Sequence, residues 1–229
     1  MAHFEAGSRN VEEGLSPVSR DVMSIKNTTP YTGAYPKPAA DAAVSEDALR
    51  TATHLRVALT LADRCLAITG LEEVDGASLL AREVARALAL VGQEPVVLIG
   101  SNLLAEGGAA PGLAEVLLGQ AAVDSVLPEP ESSGLVAMPV GALPSNPSSL
   151  YSSPECASLF SALKARFRYV IVDAGALRAP ASLLLMTHCD AIAIALATGL
   201  RRRNDALEAQ REVARLHKRL MGVILTRRK

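Results

Sequence analysis

The chain has 229 residues, 49 % of them hydrophobic, and a formal net charge of -1 from 23 Lys+Arg against 24 Asp+Glu. That length supports one globular domain with a real core but not two domains with linkers. The balanced charge excludes an overall field drawing the protein to nucleic acid or to an anionic membrane, so no nucleic-acid partner is expected.

Cys65, Cys156 and Cys189 are widely spaced, with no CxxC and no neighbouring His. They indicate neither a disulfide framework nor a zinc site, and three reduced thiols fit the cytoplasm. No basic start followed by an apolar core opens the chain, and no apolar run reaches the roughly 18 residues of a membrane helix. The expectation is a protein neither secreted nor membrane-spanning.

Residues 1–45 mix Ser, Pro, Gly, Asn, Thr and charge without a hydrophobic period, and NTTPYTGAYPKPAAD reads as a turn-rich linker. This segment is expected to be a flexible tail. Its Tyr31 and Tyr35 are either ordinary linker tyrosines or substrates for an active relative. The folded domain is expected over 46–229, opening with Ser45 as cap of a helix through Leu59.

From there short apolar runs alternate with helical patterns. RCLAIT (64–69), PVVLIG (95–100), GLVAMP (134–139), YVIVDA (169–174), AIAIALA (191–197) and MGVILT (221–226) predict buried strands. Between them SLLAREVARALALVG, GLAEVLLG, SPECASLFSALKARF, PASLLLMTH and NDALEAQREVARLHKRL carry apolar residues at helical spacing. This alternation predicts an α/β fold: a parallel sheet with helices on both faces. Such sheets bind ligands at the carboxyl ends of their strands.

The first strand runs into T69-G-L-E-E-V-D-G-A-S78 and then a strong helix, the layout of a phosphate-binding loop. A working loop wraps phosphates in backbone N–H groups, neutralises them with Lys, and reaches Mg²⁺ through Ser or Thr. Here Gly76 and Ser78 remain, Ala77 stands at the Lys position, and Glu72, Glu73 and Asp75 put three carboxylates in the loop. Those acids would repel ATP. On these residues alone the stretch reads equally as a polar connector whose Ser78 caps a helix.

YVIVD ends in Asp173, which either holds Mg²⁺ in the manner of a Walker B acid or caps the next turn. Arg201, Arg202 and Arg203 follow the fifth strand, either as an anion-docking cluster or as a solvated basic loop. His188 and Cys189 read as helix-end residues without assigned chemistry.

The sequence resembles the bacterial tyrosine kinase (BY-kinase) domain of exopolysaccharide biosynthesis, a relative of the MinD/ParA-type ATPases, over roughly 45–226. G112-L-A-E-V-L-L-G119 is similar to that family's GLSDVL.G segment, and G141-A-L-P-S-N-P-S-S-L150 to its GxxPPNPxEL segment. F167-R-Y-V-I-V-D173 resembles YDYVIID, and M221-G-V-I-L-T226 resembles the closing LGVVLN. Leu49-Arg50 and Leu55-Arg56 are loosely similar to the arginine-bearing N-terminal helix that serves subunit contacts in the family.

The departures concern chemistry. The family's GxGKST keeps Gly76 and Ser78, with Ala77 for Lys and Leu79 for Thr. Its IDxDxR reads I99-G-S-N-L-L104, with Gly100 and Asn102 at the two Asp positions, and its base-contacting Asn corresponds to Thr226. The family's C-terminal tyrosine cluster does not appear, since the sequence ends in TRRK.

The resemblance therefore implies a P-loop-type fold with degenerate nucleotide-binding positions at Gly76, Ala77, Ser78 and Asp173. Ser78 and Asp173 would be metal ligands only if Mg-nucleotide binds. No cofactor is expected, with Mg-ATP the one to consider if nucleotide binding persists. It further implies a non-catalytic regulator in capsule or exopolysaccharide export, recruited to the inner membrane by the cytoplasmic segment of a polysaccharide co-polymerase or by an active sibling kinase. A homo-oligomer is implied by analogy with ring-forming family members. An active ATP-dependent tyrosine kinase, with Arg201–Arg203 or a neighbouring subunit supplying the cation, and a MinD/ParA-like positioning ATPase are the alternatives.

Overall fold

The structure is a computed structural model that describes residues 44–100 and 110–227. The readings of the N-terminal tail, of Tyr31 and Tyr35, and of Asn102 fall outside these residues. The first helix, α1 (Glu46–Ala58), starts where expected: Ser45 caps it, its hydroxyl accepting from the Ala48 amide at 3.2 Å.

The six expected strands form one parallel sheet. β1 (Cys65–Gly70), β2 (Val96–Ile99), β3 (Leu135–Met138), β4 (Tyr169–Ala176), β5 (Ala191–Ala197) and β6 (Arg219–Thr226) lie in the order β3-β2-β4-β1-β5-β6. β1 therefore sits between β4 and β5, and the loop that leaves its carboxyl end is flanked by the ends of both neighbours.

Alternation along each strand sorts the apolar side chains into two cores. Leu66, Ile68, Leu98 and Ile171 face α1 and α2 (Ala77–Gly92), while Ala67, Val97, Val170 and Val172 face the opposite layer. β5 shows why the run AIAIALA has that form. Its Ala191, Ala193 and Ala195 meet an alanine-rich helix face built from Ala77, Ala81, Ala85 and Ala89, whereas Ile192, Ile194 and Leu196 fill the other core. Small residues on both partners let α2 lie close over the sheet.

The second layer comprises α3 (Leu113–Leu117), α4 (Val123–Val126), α5 (Ser148–Tyr151), α6 (Pro154–Arg166), α7 (Pro180–Met186) and α8 (Arg203–Arg215). Ser153 caps α6 through the Cys156 amide at 3.2 Å, with Pro154 in its first turn. Two helical readings shrink. GLAEVLLG supplies only the short α3. The last helix ends before LHKRL, because His217 takes a left-handed φ of 53° and the edge strand β6 begins two residues later.

Candidate functional site

The loop after β1 closes on itself. A 3-10 turn over Glu73–Asp75 uses the Asp75 amide to the Glu72 carbonyl at 3.1 Å and the Gly76 amide to the Glu73 carbonyl at 3.2 Å, while the Glu72 amide donates to the Asp75 carboxylate at 3.0 Å. Three backbone donors of the loop are thus satisfied internally.

Asp75 is fully buried. Its carboxylate also accepts from the Ala197 amide at 3.1 Å and from Arg201 Nε at 2.8 Å, and its carbonyl accepts from the Thr226 hydroxyl at 2.8 Å. Burial alone would raise the Asp75 carboxyl. The Arg201 guanidinium and the Glu72 and Ala197 amides outweigh burial and hold it below its ordinary value, and hydrogen bonds to Asp75 and Glu72 push Arg201 upward in turn.

Arg201 reaches Glu72 as well, Nη2 to Oε2 at 3.1 Å, and Arg178 bridges Glu72 at 3.7 Å to Glu208 at 2.9 Å. This corrects two sequence readings. The acids do not all face outward as a repelling array, because Asp75 turns inward and Glu72 is paired. Arg201 is neither a free anion-docking group nor a solvated loop residue, since its side chain is 16 % exposed and fastens the loop to the end of β5. Local sequence gives no sign of this pairing. The excess of three acids in a short loop, matched by arginines after a neighbouring strand, was the signal available.

Ala77, Ser78 and Asp173 line one cleft of about 380 Å³ at the carboxyl ends of β1, β2 and β4. Gly76 stands behind them, its left-handed φ of 75° turning the chain into α2. Asp173 is 4 % exposed. Its Oδ1 accepts from the Gly175 amide at 3.2 Å, and the Ser78 hydroxyl beside it favours the ionised carboxylate. Burial pushes its carboxyl up, the Ser78 and Gly175 bonds offset part of that rise, and the nearby charge of Glu73 adds to it.

Gly100 also lines the cleft, at φ 82°, where a Cβ would stand 2.8 Å from the Asp173 carbonyl oxygen. An Asp at this position would meet both a left-handed backbone and that oxygen.

The cleft's far wall is where the two segments carrying the family resemblance meet. Glu115, three residues after Gly112, accepts from the Gly112 amide at 2.7 Å and from the Ala142 amide at 2.9 Å. The Leu113 and Ala114 amides donate to the Pro139 and Val140 carbonyls, each at 2.9 Å. Gly141 adopts φ 75°, and a Cβ there would collide with the Glu115 carboxylate. GLAEVLLG and GALPSNP are therefore one joint, which holds Val140, Leu143 and Pro147 against the cleft. Burial would raise Glu115, but the Ala142 and Gly112 amides hold it below its ordinary value.

Beyond the joint, Asn146 Oδ1 accepts from the Ser148 amide at 3.2 Å to start α5, whose buried Tyr151 lines the cleft. His188 Nε2 lies 2.7 Å from the Tyr151 carbonyl, which can only accept, so this nitrogen carries the proton. Its ring stacks on Phe160 at 5.2 Å. Arg50 pairs with Glu46 on the exposed face of α1, while Arg56 is spent on the Val91 carbonyl at 3.1 Å and Glu94 at 3.7 Å. All three cysteines are buried and unpaired.

No protein-family profile matches the chain. It is 24 % identical over 173 residues to the tyrosine-protein kinase CpsD of Streptococcus agalactiae, covering 72 % of this chain and 76 % of that protein. The crystal structure of the VpsO kinase domain superposes with a TM-score of 0.71 at 22 % identity, over 80 % of this chain and 94 % of that one. The chain thus shares the fold of these kinase domains and is similar to them in sequence. A ParA-family ATPase from Chlorobium tepidum is a more distant neighbour, with a TM-score of 0.52 at 18 % identity over 73 % of this chain and 74 % of that one, in keeping with the parallel sheet and P-loop layout. Among the described residues no helix is long and apolar enough to cross a membrane.

Proposed function

We propose that this BY-kinase-like domain acts by binding rather than by phosphoryl transfer, as a regulator in capsule or exopolysaccharide biosynthesis and export. The observation that carries this reading is the closed first loop. Where a working site aims a Lys and backbone N–H groups at phosphates, Ala77 offers neither charge nor length, and the Glu72, Asp75 and Gly76 amides donate within the loop. The cations that reach the loop are committed to its own acids, Arg201 to Asp75 and Glu72 and Arg178 to Glu72. Asp173 and Glu73 then face the space a polyphosphate would need, with no Lys, Arg or His lining the cleft among the described residues.

The residues present do not fit Mg-ATP. Ser78 and Asp173 are the hydroxyl and carboxylate through which such a loop would reach Mg²⁺, so the misfit lies with the phosphates, which would meet Ala77 in place of a Lys and Glu73 beside them. Phosphoryl transfer rests on positioning and charge neutralisation, and removing one stabilising group costs on the order of a hundred- to a thousand-fold in rate. The missing Lys and the Gly100 backbone remove more than one.

The CpsD and VpsO relatives are kinases by name, so the partner class proposed is what such a kinase would meet in the cytoplasm: the cytoplasmic segment of a polysaccharide co-polymerase, or an active sibling kinase. Either would bring the protein to the inner membrane. The test is phosphotransfer to a tyrosine peptide with Mg-ATP, run beside an active BY-kinase. Only background transfer is expected. Transfer abolished by Asp173→Ala would overturn the reading in favour of a working kinase.

A further inference from the structure

The loop's three carboxylates divide unequally. Glu72 and Asp75 are neutralised by Arg201 and Arg178, whereas Glu73 forms no ion pair among the described residues and lines the cleft beside Asp173. The cleft therefore holds two carboxylates and no side-chain cation among the described residues. The amino terminus of α2 offsets about half an elementary charge. Net negative charge remains, part of it on Asp173, which is almost wholly buried. Carboxylates so placed favour a counter-cation.

The walls decide which cation fits. Val140, Leu143, Pro147 and Leu185 are apolar and stand around the acid-bearing floor. A compact hydrated metal ion would gain nothing from those walls, since its remaining positions are filled by water. A cation at the end of an aliphatic stem matches both parts, its methylenes against the wall and its head on the carboxylates.

We propose that this cleft binds an alkylammonium or alkylguanidinium group, and that in the cell the group is the side chain of a Lys or Arg in a partner's peptide segment. The inference rests on the preceding reading in requiring a cleft free of nucleotide, and it names the chemistry by which a partner is recognised. The joint of Glu115 with Gly112 and Ala142 fixes the apolar wall, so the pocket is preformed rather than assembled on binding.

The test uses the full chain and an acetylated, amidated peptide carrying one Lys between small apolar residues, with the same peptide bearing norleucine at that position as control. Binding is read by calorimetry, with cadaverine, MgCl₂ and Mg-ATP as separate titrants. The Lys peptide is expected to bind at least about tenfold more tightly than its norleucine twin, and Glu73→Gln and Asp173→Asn each to erase most of that difference. Glu73 is exposed, so its variant keeps the fold whatever happens at the buried Asp173.

Cadaverine binding as tightly as the peptide supports the cation site but assigns it to a free amine. Equal binding of the two peptides, no binding of either peptide or amine up to about 10 mM, or tight binding of Mg²⁺ alone would overturn the proposal. Mg-ATP binding without amine binding sinks the nucleotide-free reading too. Neither ligand binding leaves that reading standing and removes only the cation site.

Discussion

Asp75, in the loop after β1, and Asp173, near the carboxyl end of the neighbouring β4, are both almost entirely out of water, yet they are completed in opposite ways. Asp75 receives two amides and the Arg201 guanidinium, which hold its carboxyl down against the effect of burial. Asp173 receives one amide, stands beside the Ser78 hydroxyl and the charge of Glu73, and has no cation partner among the described residues, and burial pushes its carboxyl up. The first is completed within the fold and fastens the loop to the end of β5. The second keeps a desolvated acid at the floor of an open cleft, the pattern expected where something else is to be bound.

The contrast breaks most directly at Arg201. Arg201→Ala leaves Asp75 buried without its counter-charge and is expected to cost about 3 kcal/mol of stability, measured by urea unfolding. A cost near zero would mean that the loop does not depend on the guanidinium. Glu115 belongs with Asp75 as an internally completed carboxylate. Glu115→Ala strands the Gly112 and Ala142 amides and is expected to cost about 2 kcal/mol by the same measurement, with Glu115→Gln milder.

Acid titration of stability follows the same division. Asp75 and Glu115 have depressed folded values, so their contribution is present above the ordinary carboxylate range and is lost as pH falls below about 4. Asp173 has the opposite sign, since raising its folded value makes the ionised form a burden at neutral pH that protonation relieves. Asp173→Asn is therefore expected to raise the thermal midpoint slightly at pH 7, with the gain shrinking as pH falls toward the unfolded value. A lowered midpoint at pH 7 would place Asp173 with Asp75 as a structural acid.

Much of this was legible in the sequence. Strand order was not, but six apolar runs of strand length separated by helical periods pointed to the parallel class; AIAIALA, read only as a buried strand, owes its alternation of small and large residues to the unequal layers on its two faces. Ala77, Ser78 and Asp173 could be placed in one site because a loop after one strand and an acid ending another converge at carboxyl ends.

What sequence could not supply was pairing across distance. Arg201 is 126 positions from Asp75, and no local pattern tells a guanidinium that neutralises a loop from one left in solvent. Glu115 was quoted only as part of a motif. Its reach to Ala142 depends on β3 delivering Gly141 beside α3, a tertiary fact with just the Gly112-to-Glu115 spacing as local hint. Gly100 read as an empty acid position, whereas its backbone angle and the Asp173 carbonyl show a position shaped for glycine.

Calorimetric titration with Mg-ATP and Mg-ADP, on the native protein and on Ala77→Lys, tests the central claim most directly. No binding heat is expected up to about millimolar nucleotide for the native chain. Little recovery is expected in Ala77→Lys, because the loop amides and Arg201 stay committed to Glu72 and Asp75. Saturable binding to the native protein, lost in Asp173→Ala, would contradict the claim and identify the cleft as a nucleotide site.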